Sequence, residues 1–329
     1  MGPAVLKKQL LLLVWFATSH VANAQELQLL SGITQHSAVS ETTYAWSIEY
    51  AQGLGEHAYV TFGWLNEGHL REHHRDGPAA QIWGRVNLLD RRLSLVFGIG
   101  PYAYFDTAQA EQGASYTNDH GFGMIYSAGL TWYTEQRWFV HLRANQIEVD
   151  THVDTNMLLF GVGYQLDPPG AVGPQPWAAP LAPRQIKNEL SIFVGRTILN
   201  SFQSEDSTAT EIEYRRALGQ YVDWTVGWLH EGAHEIIRRN GVTTQLWLVR
   251  SFFDDRFTLG GGAGVYFVLN KEHPIENGAV DDERESIILS TLASYRLDRH
   301  WSARITWNRI MTGYNRDTDI LLFGGGYRF

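Results

Sequence analysis

The stretch Leu321-Leu-Phe-Gly-Gly-Gly-Tyr-Arg-Phe329 decides how the chain is read. Leu321, Phe323, Gly325, Tyr327 and Phe329 share one face of a period-two strand, and Leu322, Gly324, Gly326 and Arg328 share the other. The same strand stands earlier as Leu158-Leu-Phe-Gly-Val-Gly-Tyr-Gln-Leu166. A strand that returns is the sign of a repeat, and a repeat has to be settled before any fold is named.

The echo extends along the chain. Glu26–Gly32 matches Glu189–Gly195, Gly63-Trp-Leu-Asn-Glu-Gly68 matches Gly227-Trp-Leu-His-Glu-Gly232, and Gln81-Ile-Trp83 matches Gln245-Leu-Trp247. Asp154-Thr155 likewise matches Asp317-Thr318. The offset holds at 163 or 164 throughout, as one duplicated unit requires. Eight strands are expected in the first copy, near 27–33, 43–51, 57–66, 79–88, 93–105, 121–133, 138–148 and 156–166. Tight turns at Gly53–Gly55, Asp90-Arg91 and Thr134–Arg137 alternate with longer polar connections at 34–42, 67–78, 106–120 and 149–155. The second copy has its tight turns near Gly219, Asp254-Asp255 and Leu297-Asp298. Short turns at one end and long loops at the other are the pattern of a membrane-spanning barrel.

Composition bounds the rest. The 329 residues include no cysteine, which rules out disulfides, thiolate metal sites and a lipoprotein anchor. Twelve tryptophans and fifteen tyrosines suit aromatic girdles at two membrane–water interfaces. A formal charge of −9 argues against nucleic acid as a partner. Residues 1–24 read as a cleaved secretory signal, with Lys7 and Lys8, an apolar core from Leu10 to Phe16, and Ala22-Asn23-Ala24 at the cleavage site. No later run approaches the ~20 apolar residues of a spanning helix, so a membrane has to be crossed by strands. Residues 25–167 and 189–329 are the two barrel repeats, with 168–188 between them. Six prolines in Asp167–Pro183 make that connection stiff and extended. A single sixteen-stranded barrel would need only a short turn there, so two tandem eight-stranded, antiparallel, up-and-down barrels are expected, with the single large barrel as the alternative.

Alternation assigns the faces. Val60, Phe62 and Trp64, and in the second copy Ala303, Ile305 and Trp307, are expected to face lipid. Inward are placed Ser47, Glu49, Gln81, Trp83, Arg85, His141, Arg143 and Asn145, and then Glu211, Glu213, Arg215, Gln245, Trp247, Arg304 and Asn308. An eight-stranded lumen is filled by its own side chains, so these charges are expected to pair as a structural plug.

Two stretches invite a metal. His230-Glu-Gly-Ala-His234 fits the H-E-x-x-H pattern, but it follows a strand and holds Gly232 where zinc peptidases need a helix. The denser His69-Leu-Arg-Glu-His-His-Arg-Asp-Gly77 offers His69, His73, His74 and Asp76, with Glu67 beside them, as ligands for a loop-bound divalent metal. Solvated loop polarity accounts for both, and no other cofactor is expected. His69, His73 and His74 also make the loop an acid-sensitive contact, since imidazole titrates near pH 6.

The unit resembles the small eight-stranded outer-membrane barrels, and its last third looks most like the lipid A deacylase (PagL-type) group. The C-terminal Phe323, Tyr327 and Phe329 resemble the assembly signal of outer-membrane proteins, which implies the barrel-assembly machinery as a partner. That family works through a His-x-Ser pair and a nearby acid. The matching stretches are Val140–Ile147 with Asp154, and Ala303–Ile310 with Asp317. His141 has Arg143 where the serine belongs, and the second copy keeps no histidine there, so no activated nucleophile is expected. The expectation is a non-enzymatic bacterial outer-membrane protein that binds, or stabilises the envelope, through its extracellular loops. Lipid and lipopolysaccharide are its surroundings, and acidic stretches such as Glu276–Glu285 need divalent cations to approach an anionic lipid. A sixteen-stranded diffusion porin and a diverged lipid A-modifying hydrolase are the alternatives.

Overall fold

The computed structural model describes residues 25–36, 41–70, 73–109, 116–150, 154–166, 170–175, 187–232, 239–271 and 284–329. The signal segment 1–24, residues 176–186 of the linker, His234 and residues 276–283 of the acidic stretch lie outside them.

The strands of the first repeat are β1 (Gln25–His36), β2 (Thr42–Gly53), β3 (Ala58–Leu70), β4 (His73–Leu88), β5 (Leu93–Ala108), β6 (Thr117–Tyr133), β7 (Trp138–Val149) and β8 (Thr155–Gln165). Those of the second are β9 (Asn188–Leu199), β10 (Asp206–Ala217), β11 (Val222–His230), β12 (Arg239–Phe252), β13 (Phe257–Lys271), β14 (Glu285–Arg296), β15 (Trp301–Met311) and β16 (Thr318–Arg328). Each set of eight closes on itself, β1 on β8 from Glu26↔Gln165 to His36↔Thr155, and β16 on β9 from Thr318↔Leu199 to Arg328↔Glu189. The chain is therefore two closed antiparallel eight-stranded barrels, and the single sixteen-stranded barrel is excluded. Closure leaves no strand edge unpaired, so the backbone polar groups of each wall are met within the wall.

The opening stretch forms the closing strand of the second barrel. Leu321, Phe323 and Tyr327 point outward, while Leu322 and Ile320 are fully buried inside. Its echo does the same in the first, with Leu158, Phe160 and Val162 outside and Leu159 at 0 % exposure inside. Outward positions elsewhere are also large and apolar, among them Leu29, Ile48, Phe62, Ile82, Ile192 and Ile305. Inside, Trp83 donates to Thr61 Oγ1 at 2.9 Å, and Trp247 donates to Thr225 Oγ1 at 2.9 Å. Both indoles lie against a glycine, Gly98 and Gly262, where a Cβ would come within 2.5 and 2.6 Å of the ring. The repeat thus reaches down to single contacts.

Several strands run further than alternation implied. The connection expected at 67–78 is mostly ladder, with β3 continuing to Leu70 and β4 beginning at His73, around a bulge between Asn66 and His69. Its polar residues look like loop residues because Glu67 and Arg75 face a polar lumen rather than lipid. Strand β5 likewise runs on to Ala108, and β6 starts at Thr117.

Candidate functional site

The inward charges form the same kind of network in both barrels. In the first, Arg143 donates to both oxygens of Glu49 at 2.7 and 3.0 Å, Ser47 donates to Glu49 at 2.6 Å, and the guanidinium lies 5.2 Å from the Trp83 ring. Gln81 donates to Ser127, and Ser127 to Asn145, at 2.9 and 2.8 Å. In the second, Arg304 pairs with Glu213 and lies 3.8 Å from Glu189, Thr243 donates to Glu211 at 3.2 Å, and Ser290 donates to Gln245 at 2.7 Å. Asn308 is buried beside them. The arginine has moved by two residues along the same inward face, since Arg304 stands where the first repeat has His141, and Thr306 stands where it has Arg143. Arg85 and Arg215 sit lower, towards the tight turns. Arg85 donates to the carbonyls of Glu56 and Gly55 at 2.8 and 2.9 Å, and Arg215 to Asp223 at 2.5 Å.

A second layer nearer the long loops was missed by sequence reasoning. Arg75 donates to both oxygens of Glu67 at 2.5 and 2.7 Å, and Thr155 reaches the same carboxylate across the lumen at 2.5 Å. Its twin is Arg239 to Glu231 at 2.7 Å, with Thr318 donating to that carboxylate at 3.0 Å. Fully buried tyrosines, Tyr102 and Tyr266, stand beside the two pairs. The signal was available, because Glu67, Arg75, Tyr102 and Thr155 all recur at the repeat offset.

The candidate metal ligands disperse into other contacts. His73 pairs with Asp106 at 2.8 Å, His74 with Asn66 at 3.3 Å, and the His69 and His74 rings lie 4.1 Å apart. Asp76 faces the opposite barrel, His230 bonds to Asn240, and Glu231 is held by Arg239. Among the described residues no group of three or more such side chains gathers to hold a metal ion. His141 bonds to Thr131 Oγ1 at 3.2 Å, but both are enclosed in the lumen. Asp154 and Asp317 accept from the amides of Val149 and Thr312 at 3.0 and 2.8 Å, so each ties the end of one strand to the start of the next.

The outer walls meet in a charged seam. Trp64, expected to face lipid, is only 6 % exposed because Trp307 of the second barrel packs edge-on against it, ring centroids 4.1 Å apart. Each indole donates to an aspartate of its own barrel, Trp64 to Asp76 at 3.2 Å and Trp307 to Asp319 at 3.0 Å. Arg309 lies between the two carboxylates, 3.2 Å from Asp76 and 2.7 Å from Asp319. Nearby, His120 meets Asp317 at 2.5 Å, Asn118 donates to the Asn200 carbonyl at 2.9 Å, and Arg316 donates to the Tyr116 hydroxyl at 3.0 Å. Burial raises the Tyr116 phenol above its ordinary value. At the turn end Arg250 donates to Gln25 across the same junction at 3.1 Å.

The turn-end mouths differ. In the first barrel, residues 173–175 of the linker are buried against the mouth, where Gln165 donates to the Gly173 carbonyl at 3.0 Å and Arg91 donates to that of Pro174. In the second, a solvent-open cavity of about 50 Å³ lies among polar side chains that include Arg215, Asp223, Asp255, Arg296 and Arg328.

No family model matches the sequence, and no curated protein does. Among solved structures the chain is similar to the N-terminal β-barrel domain of Pseudomonas aeruginosa OprF, at 12 % identity over 44 % of this chain and 99 % of that one, TM-score 0.35. It is similar to Neisserial surface protein A at 9 % identity, over 45 % of this chain and 99 % of that one, TM-score 0.38. Ail, the attachment invasion locus protein of Yersinia pestis, is a third, at 10 % identity over 45 % and 99 %, TM-score 0.34.

Proposed function

We propose that the protein resides in the bacterial outer membrane as a docked pair of sealed barrels, and that it binds or braces the envelope through its long-loop face rather than conducting solutes. The observation that carries this is the commitment of the lumen charges. Glu49, Glu67, Arg75 and Arg143 in one barrel, and Glu213, Glu231, Arg239 and Arg304 in the other, are all held in ion pairs inside the lumen, two of them spanning it and two joining neighbouring strands. An eight-stranded wall leaves little space beyond its own side chains, and ion pairs at two heights occupy that space. The large apolar outward positions support a lipid environment for the wall. On this reading the signal segment is removed on export, Phe323, Tyr327 and Phe329 present the assembly signal, and lipopolysaccharide approaches the acidic loops through divalent cations. A lipid A hydrolase is disfavoured because the His141–Thr131 pair is enclosed in the lumen.

Single-channel conductance of residues 25–329 refolded into a planar bilayer tests the proposal. A silent bilayer is expected, and large stable openings would overturn it. Treating lipid A with the same preparation and measuring its mass checks the hydrolase reading, for which no loss of an acyl chain is expected.

A further inference from the structure

The two turn-end mouths are equivalent in the wall but differ in what they hold. In the first barrel, an extended backbone is seated through its carbonyls by Gln165 and Arg91. The repeat places Arg328 at the position of Gln165 and Asp255 at that of Arg91. In the second barrel the described residues leave this place as the open cavity.

The charge there is unbalanced towards the cation. Arg215 is neutralised by Asp223, and Arg296 by Asp255 at 2.8 Å, with Arg328 3.7 Å from that same Asp255. The third carboxylate of the lining, Glu189, lies 3.8 Å from Arg304 and accepts from Ser191 at 3.0 Å. Three carboxylates thus face five cations, Lys187, Arg215, Arg256, Arg296 and Arg328. Arg256 is the equivalent of Arg92, which in the first barrel pairs with Glu135 at 2.8 Å. The equivalent of Glu135 is Asp298, whose carboxylate accepts instead from the amides of His300 and Trp301 at 2.7 and 2.8 Å. Arg256 and Lys187, both exposed, therefore line the mouth with no carboxylate in pairing range among the described residues. A cavity of about 50 Å³ also exceeds the roughly 10–15 Å³ that one water needs, so a carboxylate group fits.

We propose that the turn-end mouth of the second barrel receives an extended peptide bearing a carboxylate from another molecule. The carboxylate enters among Lys187, Arg256 and Arg328, and the backbone lies across the rim as residues 173–175 lie in the first barrel. The inference goes beyond the proposed function and stands apart from the conductance result, because it is measured in detergent.

The probes are two fluorescein-labelled hexapeptides, Gly-Ala-Val-Gly-Glu-Glu and Gly-Ala-Val-Gly-Gln-Gln, titrated with the refolded chain in zwitterionic micelles and read by fluorescence anisotropy. The glutamate peptide is expected to bind saturably and at least tenfold more tightly than the glutamine peptide. The double variant Lys187→Gln/Arg256→Gln removes two exposed side chains, so the barrel folds as before. It is expected to weaken the glutamate peptide by about three- to tenfold, the range for two partly exposed charge contacts, and to leave the glutamine peptide unchanged. Equal affinity for the two peptides, no saturable binding of either, or undiminished binding to the double variant would overturn the proposal.

Discussion

The two barrels share a wall and an upper layer but fill their lower halves differently. Near the turns the first barrel carries Ala51, Tyr59, Tyr133 and Phe139, where the second carries Arg215, Asp223, Arg296 and Ser302. The first group packs as an aromatic floor, with Tyr59 stacked on Trp83 at 5.5 Å and Tyr133 against Phe139 at 5.2 Å. The second forms ion pairs around an open mouth. Higher up, Glu67–Arg75–Thr155 and Glu231–Arg239–Thr318 are the same arrangement twice. The closed wall tolerates either filling as long as each buried charge is met. The upper layer has not diverged, whereas the lower layer has, and the difference is greatest at the mouths, where residues 173–175 are seated in the first barrel.

The largest expected effect separates the two lower layers. Glu49→Gln leaves Arg143 without its carboxylate in a closed interior, a change that costs about 3–5 kcal/mol. Glu213→Gln leaves Arg304 with Glu189 at 3.8 Å, so only about 1.5–3 kcal/mol is expected. The chain has no native cysteine, so one label on a Leu54→Cys or Gly219→Cys background reports urea unfolding of each barrel separately in vesicles. Equal losses would show that Glu189 does not share the load.

The seam sharpens the comparison from outside. Trp307, Arg309 and Asp319 of the second barrel have Ala144, Gln146 and Asn156 as their equivalents in the first, and Asp76 has Asn240 in the second. The charged and indole positions of the seam are thus neutral at their equivalents, while the outward carboxylate Glu148 lies further along β7 and accepts from Gln146 at 3.0 Å. Arg309→Gln strands Asp76 and Asp319, and about 3 kcal/mol of docking should be lost, enough to separate the barrels. Spin labels on the tight turns β4–β5 and β12–β13 should change from a narrow distance distribution to a broad one. An unchanged narrow distribution would mean the seam does not hold the pair together.

These contacts also mark what a single sequence makes legible. Strand order, closure and the inward set around Glu49, Gln81 and Gln245 follow from period-two alternation and the repeat, because each wall has a polar and an apolar side. The seam was hidden for the same reason. Trp64 and Trp307 satisfy the outward pattern whether lipid or another barrel covers them, and alternation carries no information about neighbours. Arg309 and Asp319 were outward charges out of keeping with lipid, and only comparison with Gln146 and Asn156 exposes them. Glu67 and Arg75 resemble loop residues in the sequence, because polarity near a strand end looks the same when it faces a lumen.

A smaller effect tests the shared tryptophan. Trp83→Phe and Trp247→Phe each remove one 2.9 Å hydrogen bond to a buried threonine, about 1 kcal/mol apiece. Trp83 also carries the Arg143 guanidinium and the Tyr59 stack, so the first barrel should lose about 0.5–1 kcal/mol more. The same labelled unfolding measurement decides it, and a larger loss in the second barrel would contradict the account.

The smallest effect concerns the turns that join β6 to β7 and β14 to β15. In the first barrel the turn is tied by a neutral hydroxyl, with Thr134 donating to the Trp138 carbonyl at 2.6 Å and accepting from Gln136. In the second the Asp298 carboxylate accepts from two backbone amides, first Trp301 and then His300, which hold its pKa below the ordinary carboxylate value. A depressed folded-state pKa contributes stability that is present above the unfolded value of about 3.9, and that is lost as pH falls through the folded one. Asp298→Asn keeps the acceptor oxygen and removes only the charge. The variant should therefore unfold at slightly lower urea than the parent at pH 7, and the gap should close as pH falls through the depressed folded-state value and the parent is itself protonated. If the gap persisted at low pH, the amide contacts would be acting through geometry alone, and the charge would contribute nothing to the second barrel's turn.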